Sequence, residues 1–299
     1  MEALAVGIDI GGTSVKIGLF DRNLELVHRC ETIASCKLAS GDELVAQSLE
    51  SVKAGAAKMK GGMHDIAGIG IGSPGPLDYN TGIILNTPNI RILQDYPLRD
   101  GMKQAAGCPV CVDNDANVYV LGEARRGSGR GYPIVLGVTL GTGFGWGIVF
   151  DGRVYHGATG TAAEYGLSVW REEGHTWEEE ISIRGLMRKF RDLGGKAESP
   201  EEVHQLAGDG DKVALAAWTE YGRMLGLALS HGVNLLDPHV VVVGGAMAGA
   251  WEHFSQSMME ALHRHIFEPP RVNMKVVPSE LGGLAALYGA ASQVEFEEV

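Results

Sequence analysis

The chain has 299 residues, of which 45% are hydrophobic and 43 are glycine, and its formal net charge is −12. That length fits two compact domains, each able to bury its own core. The acidic balance argues against nucleic acid or anionic lipid as partners. No charged-then-apolar leader or bilayer-spanning apolar run is visible, and four cysteines are too few for a disulfide framework, so the expected location is the cytoplasm.

Leu4 to Ile10 is a short apolar run that stops at Gly11-Gly12-Thr13, after which Val15, Ile17 and Leu19 alternate. The pattern predicts strand, glycine turn, strand. Asp42 to Lys60 reads as a helix, and Ile66 to Gly72 as a buried strand stopped by Ser73-Pro74-Gly75-Pro76. A helix from about Arg99 to Ala106 leads to a strand at Pro109 to Val112, and Asp113-Asn114-Asp115 opens a helix running to about Arg126. Cys108 and Cys111 lack the second pair that a zinc site needs and read as reduced, half-buried thiols.

The opening pattern then recurs. Ile134 to Leu140 is an apolar strand, Gly141-Thr142-Gly143-Phe144-Gly145 a turn, and Trp146 to Phe150 the return strand. Such repetition points to an internal duplication. Arg184 to Arg191 reads as an amphipathic helix, Lys212 to Leu235 as a long one, and Val240 to Val243 as a strand ending in Gly244-Gly245. The expected domains are an N-terminal α/β unit over 1–114, joined by a C-terminal helix at about 284–299, and a second α/β unit over 115–283.

Neither glycine turn is a Walker loop, and the first is followed by a period-two strand rather than the helix a dinucleotide fingerprint requires. What remains is a hairpin whose N–H groups can wrap phosphate, with the Thr13 hydroxyl as a further donor. Asp9, beside it, is placed to hold Mg²⁺ through water. Thr139, Gly141, Thr142 and Gly143 offer a second set of donors, and Gly244-Gly245 a flat wall for a nucleoside. Three glycine turns at three strand ends predict a nucleotide site. Asp115 is a candidate base for a hydroxyl proton, with capping of the following helix as the competing reading.

Gly7-Ile8-Asp9-Ile10-Gly11-Gly12-Thr13, Asn114-Asp115-Ala116-Asn117, Leu140-Gly141-Thr142-Gly143-Phe144-Gly145 and Val243-Gly244-Gly245 together resemble the ROK family of repressors and sugar kinases. The resemblance implies an actin-like (ribonuclease H-like) two-domain α/β fold with duplicated mixed sheets and an interdomain cleft. It also implies ATP, Mg²⁺ and a small-molecule sugar as ligands, and a homodimer. By the same likeness Asp115 is the general base and Asn114 a sugar ligand. Asn89 and Glu164 correspond to further sugar-binding positions, Glu180 stands for the family's last sugar-binding glutamate, and the Gly75-Pro76 turn borders the sugar.

Two departures stand out. Leu167 occupies the place of the family histidine that touches sugar and metal, and the cysteine cluster that completes a zinc site is missing, so no zinc is expected. His175 reads as an exposed loop residue. The lost imidazole weakens an assignment to glucose and leaves N-acetylhexosamines open. Expected, then, is phosphorylation of a sugar hydroxyl at O6. The alternatives are polyphosphate as donor, or a catalytically silent sugar-binding or sensor protein. A transcription regulator would need a DNA-reading domain for which the sequence before Leu4 leaves no room.

Overall fold

The computed structural model describes residues 3–87, 90–171 and 174–296. In chain order it begins with strands Leu4–Ile10 (β1), Val15–Phe20 (β2) and Leu26–Arg29 (β3), then helix Gly41–Lys58 (α1) and strand Ile66–Ser73 (β4). A short hairpin, Leu77–Asp78 (β5) and Ile83–Ile84 (β6), precedes helix Leu98–Ala106 (α2), strand Val110–Asn114 (β7) and helix Asp115–Arg126 (α3). Strands Ile134–Leu140 (β8), Phe144–Phe150 (β9), Arg153–Val154 (β10), Val169–Arg171 (β11) and His175–Thr176 (β12) follow. Helices Trp177–Ile181 (α4), Ile183–Asp192 (α5), Pro200–Gly208 (α6) and Lys212–Leu236 (α7) lead to strand Val240–Gly244 (β13). Helices Trp251–His265 (α8) and Glu268–Asn273 (α9), strand Lys275–Pro278 (β14) and helix Ala285–Ala291 (α10) complete the chain.

The residues divide into two compact units. One comprises Met1–Gly131, Gly152–Ala162 and Gly283–Val299, and the other Tyr132–Asp151 and Ala163–Gly282. In the first, the sheet runs β3-β2-β1-β4-β7, with β1, β4 and β7 parallel and β2 antiparallel to β1. Val6, Ile8, Ile10, Val15, Ile17 and Leu19 all point to one face, as period-two alternation requires, and bury against Leu44, Val45 and Leu49 of α1. On the other face α10 lies almost on the backbone. Gly7 and Gly70 are paired neighbours, and a Cβ on Gly70 would stand 1.7 Å from the Ala290 carbonyl oxygen. Helix α3 meets α10 as closely, through Gly122 and Gly289.

Within the second unit the strand order β9-β8-β13-β14 repeats that of β2-β1-β4-β7: an antiparallel hairpin followed by two parallel additions. The duplicated mixed sheets and actin-like fold expected from the sequence are therefore present. Helix α7 is N-capped by Asp211, whose carboxylate accepts the Ala214 N–H at 2.8 Å, and it supports α5, α6 and α8 around one apolar core. Helix α5 is amphipathic as its sequence predicts, burying Leu186 and Phe190. No helix among the described residues is long and apolar enough to cross a membrane.

Candidate active site

In the first unit three parallel strands end side by side, β1 at Ile10, β4 at Ser73 and β7 at Asn114. Their register sets Asp9 beside Gly72, Gly72 beside Asp113, and Ser73 beside Asn114. Turns that leave the carboxyl ends of parallel strands are the usual ligand positions of α/β sheets. Gly11 spends its N–H on the Ser14 carbonyl at 2.8 Å, and the Ser35 hydroxyl donates to the Gly11 carbonyl at 2.7 Å. Those bonds close the first glycine turn while Gly12 and Thr13 stay exposed. Asp9 sits across the hairpin from Lys16 and is ion-paired with it at 3.1 Å.

The three residues at the end of β7 divide three tasks. Asp113, only 3% exposed, accepts the Asn114 N–H at 2.7 Å and the Asn117 side-chain amide at 2.9 Å, and pairs with His156 Nε2 at 2.7 Å. Tyr79 stacks on that imidazole at 3.7 Å. Asn114 caps α3, its Oδ1 accepting the Ala116 N–H at 2.9 Å. Its Nδ2 faces the Gly75 turn, where an added Cβ would stand 3.1 Å away. Asp115, half-buried, is the first helical residue, and its Oδ1 also accepts the Ala116 N–H, at 2.8 Å. With Asn114 as cap, Asp115 holds its carboxylate at the N-terminal end of α3. The first unit thus brings together Asp9, Gly11, Gly12, Thr13, Gly75, Pro76, Asn114 and Asp115 at one edge of its sheet. Asn89 lies outside the described residues.

The second unit has an equivalent edge. Thr139 stands beside both Gly244 and Gly145. Gly141 donates to the Gly143 carbonyl at 3.1 Å, and the space where Gly141 would carry a Cβ is open to at least 4 Å. Gly245 has φ +87° and presses on Leu140, so that a Cβ there would lie 2.4 Å from its backbone nitrogen and oxygen. Thr139, Gly141, Thr142, Gly143, Gly244 and Gly245 therefore gather at the ends of β8 and β13.

The three consecutive glutamates of α4 point three ways. Glu178 accepts the Phe144 N–H at 3.2 Å and so supports the glycine turn. Glu179 closes the capping box with Thr176. Glu180 turns inward, with 12% of its side chain exposed, to Lys189 at 2.6 Å and Arg188 at 2.5 Å. Burial lowers the Lys189 pKa, against the opposing pull of Glu180. Glu164 reaches the surface, yet crowding around its carboxyl, and secondarily the Glu178 charge, raises its pKa. Glu178, rather than Glu180, is the acid that shares surroundings with Glu164. Leu167, in the next turn, is 64% exposed.

Sequence reasoning missed several supports. Tyr165, beside Glu164, hydrogen-bonds His231 Nδ1 of α7. Burial pushes the tyrosine up to about 12 and the imidazole down. Nor does spacing reveal the Asp113–His156 pair, 43 residues apart. The four cysteines are free, and burial raises the thiol pKa of both Cys108 and Cys111.

A sequence profile described as ROK family matches residues 5–296. The chain belongs to the ROK family. It is 32% identical to the glucokinase of Halalkalibacterium halodurans, over 98% of this chain and 95% of that one. An N-acetyl-D-glucosamine kinase of Histophilus somni is 30% identical over 96% of this chain and 97% of its own. The crystal structure of a ROK family glucokinase from Streptomyces griseus, in complex with glucose and AMPPNP, superposes with a TM-score of 0.81 at 30% identity, covering 98% and 99% of the two chains.

Proposed function

We propose that this ROK protein transfers the γ-phosphoryl group of ATP to the O6 hydroxyl of a hexose or N-acetylhexosamine. In the coarser sense it is a sugar kinase, as are its near-full-length relatives. The observation that carries the finer reading is Asp115, a carboxylate at a helix N-terminus, beside Asn114 and the Gly75-Pro76 turn. From there Asp115 accepts the proton of the attacking hydroxyl. The Asn114 amide and Glu164 bond other sugar hydroxyls. Glu178 is the better candidate for the second acidic sugar contact, because Glu180 is held by Lys189 and Arg188.

The glycine turns fit a triphosphate: Gly12 and Thr13 are exposed, and open space lies over Gly141. Asp9, 16% exposed beside the first turn, suits a hydrated Mg²⁺. Bound Mg²⁺–ATP supplies the phosphoryl group and neutralises its charge. Thr13, Thr142 and the turn N–H groups position the phosphates, and Gly244-Gly245 forms the wall along the nucleoside. Leu167, apolar and exposed, favours an acceptor carrying an acyl group.

The test is an ADP-release screen over hexoses and N-acetylhexosamines, with polyphosphate as a parallel donor, on wild type and Asp115→Asn. The variant should keep its fold and sugar KM while kcat falls about 10²–10⁴-fold. A folded variant with near wild-type turnover removes Asp115 as base. Sugar-induced thermal stabilisation without turnover in wild type points to a silent binding module.

A further inference from the structure

Outside these residues, the second unit holds an unexplained cluster of metal-ligand type. His204 of α6 and Glu252 and His253 of α8 each bring one ligand atom within 4.8 Å of the other two. The imidazoles lie 5.0 Å apart, centre to centre, and His253 stands 6.5 Å from the Trp218 ring of α7. His204 Nδ1 and His253 Nε2 are buried without a hydrogen-bond partner. A buried polar nitrogen left unpaired is costly, and two that converge beside a carboxylate are what a cation would satisfy. His253 is 11% exposed and Glu252 62%, with Glu252 Oε1 3.8 Å from His253 Nε2, so the cluster is closed below and open to solvent above.

We propose that His204, His253 and Glu252 form a binding site for a divalent transition metal of the zinc class, which clips α6 to α8. Two imidazoles and one carboxylate are a donor set suited to Zn²⁺, and also to Co²⁺ or Ni²⁺. Tetrahedral zinc with imidazole bonds near 2.0–2.1 Å spaces its ligand atoms about 3.4 Å apart, so side-chain rotations of about 1 Å close the cluster. Water completes the coordination on the exposed side. These three residues are not Leu167, where the family resemblance would have placed a ligand, nor any residue of the second unit's glycine turn. Binding therefore stabilises the helical layer of the second unit and does not depend on the phosphoryl-transfer reading.

The test uses untagged, EDTA-treated full-length protein titrated with ZnCl2 by calorimetry, with Co²⁺ absorption as a second probe. Wild type should take one equivalent of Zn²⁺, give visible Co²⁺ bands of low-symmetry coordination, and melt at a higher temperature with zinc. His204→Gln and His253→Gln should each weaken binding at least 10-fold and abolish the thermal shift, while Glu252→Gln should weaken it less. Absence of a stoichiometric Zn²⁺ site in wild type, or equal affinity in either histidine variant, overturns the proposal. Should those variants fail to fold, the imidazole NMR signals of wild type decide. Two of the ten histidines must move together on adding one equivalent, and a single signal or none refutes the pair.

Discussion

Replacing Gly245 with alanine is the most direct probe of how the second unit builds its glycine edge. Gly245 has φ 87° and ψ 174°, a region open almost only to glycine, and a side chain there costs about 1–3 kcal/mol in strain. The new Cβ would also stand 2.4 Å from Leu140 nitrogen and oxygen, both backbone atoms that cannot rotate away. Relieving that overlap requires the two segments to part by about 1 Å, and overpacking of this kind adds about 1–3 kcal/mol. Gly245→Ala should therefore destabilise by about 2–6 kcal/mol. The shift displaces Leu140, and with it the turn at Gly141 to Gly143, so KM for ATP should rise more than KM for sugar. Urea unfolding followed by tryptophan emission is the assay, since Trp146, Trp170, Trp177, Trp218 and Trp251 all belong to the second unit. Gly249→Ala is the control: its Cβ would meet nothing within 4 Å, and a change within about 0.5 kcal/mol is expected. A Gly245→Ala protein matching that control in stability and in ATP KM would refute the reasoning.

Glu180→Gln should strip the buried Lys189 ammonium of its closest carboxylate and cost about 3–5 kcal/mol by urea titration, with sugar KM nearly unchanged. A large KM effect with intact stability would make Glu180 a sugar ligand after all. Glu164 has a raised pKa in the fold, so the folded state binds the extra proton. Stability is lost as pH rises from the ordinary value of 4.5 through the raised one, and stays lost above it. Glu164→Gln should accordingly melt at a higher temperature than wild type at pH 7, with the gain vanishing below pH 4.5, while its sugar KM increases. Equal melting temperatures at pH 7 would show that the carboxyl is not crowded.

The fold was legible because its signals are local. Apolar runs that stop at Gly11 and Gly141, followed by alternation, can only be strand, turn and strand, and both hairpins form where expected. Strand β7 runs on through Asp113 and Asn114, beyond the expected end at Val112, because both residues pair with β4. The assignment of tasks at that strand end depends on partners distant in the chain. Sequence alone cannot tell which of Asp113, Asn114 and Asp115 caps the helix until His156 and Asn117 are seen to claim Asp113. The three glutamates of α4 illustrate the same limit. Successive residues on a helix point about 100° apart, so a one-residue change of register decides which of them meets the glycine turn and which meets Lys189. His204 and His253 belong to no motif, and only the packing of α6 and α8 over α7 brings them together.

The close seating of α10 on Gly7 and Gly70 has a consequence for biosynthesis. This helix is translated after every residue of the second unit, yet it covers the open face of the first sheet and completes the cluster of Ala5, Phe20, Leu287 and Ala291. A ribosome-bound nascent chain can finish the later unit while the earlier one still exposes a bare, glycine-lined sheet surface. Vectorial synthesis thus delivers the two halves in the reverse of their order of appearance, and chaperone demand should centre on the first sheet until α10 emerges.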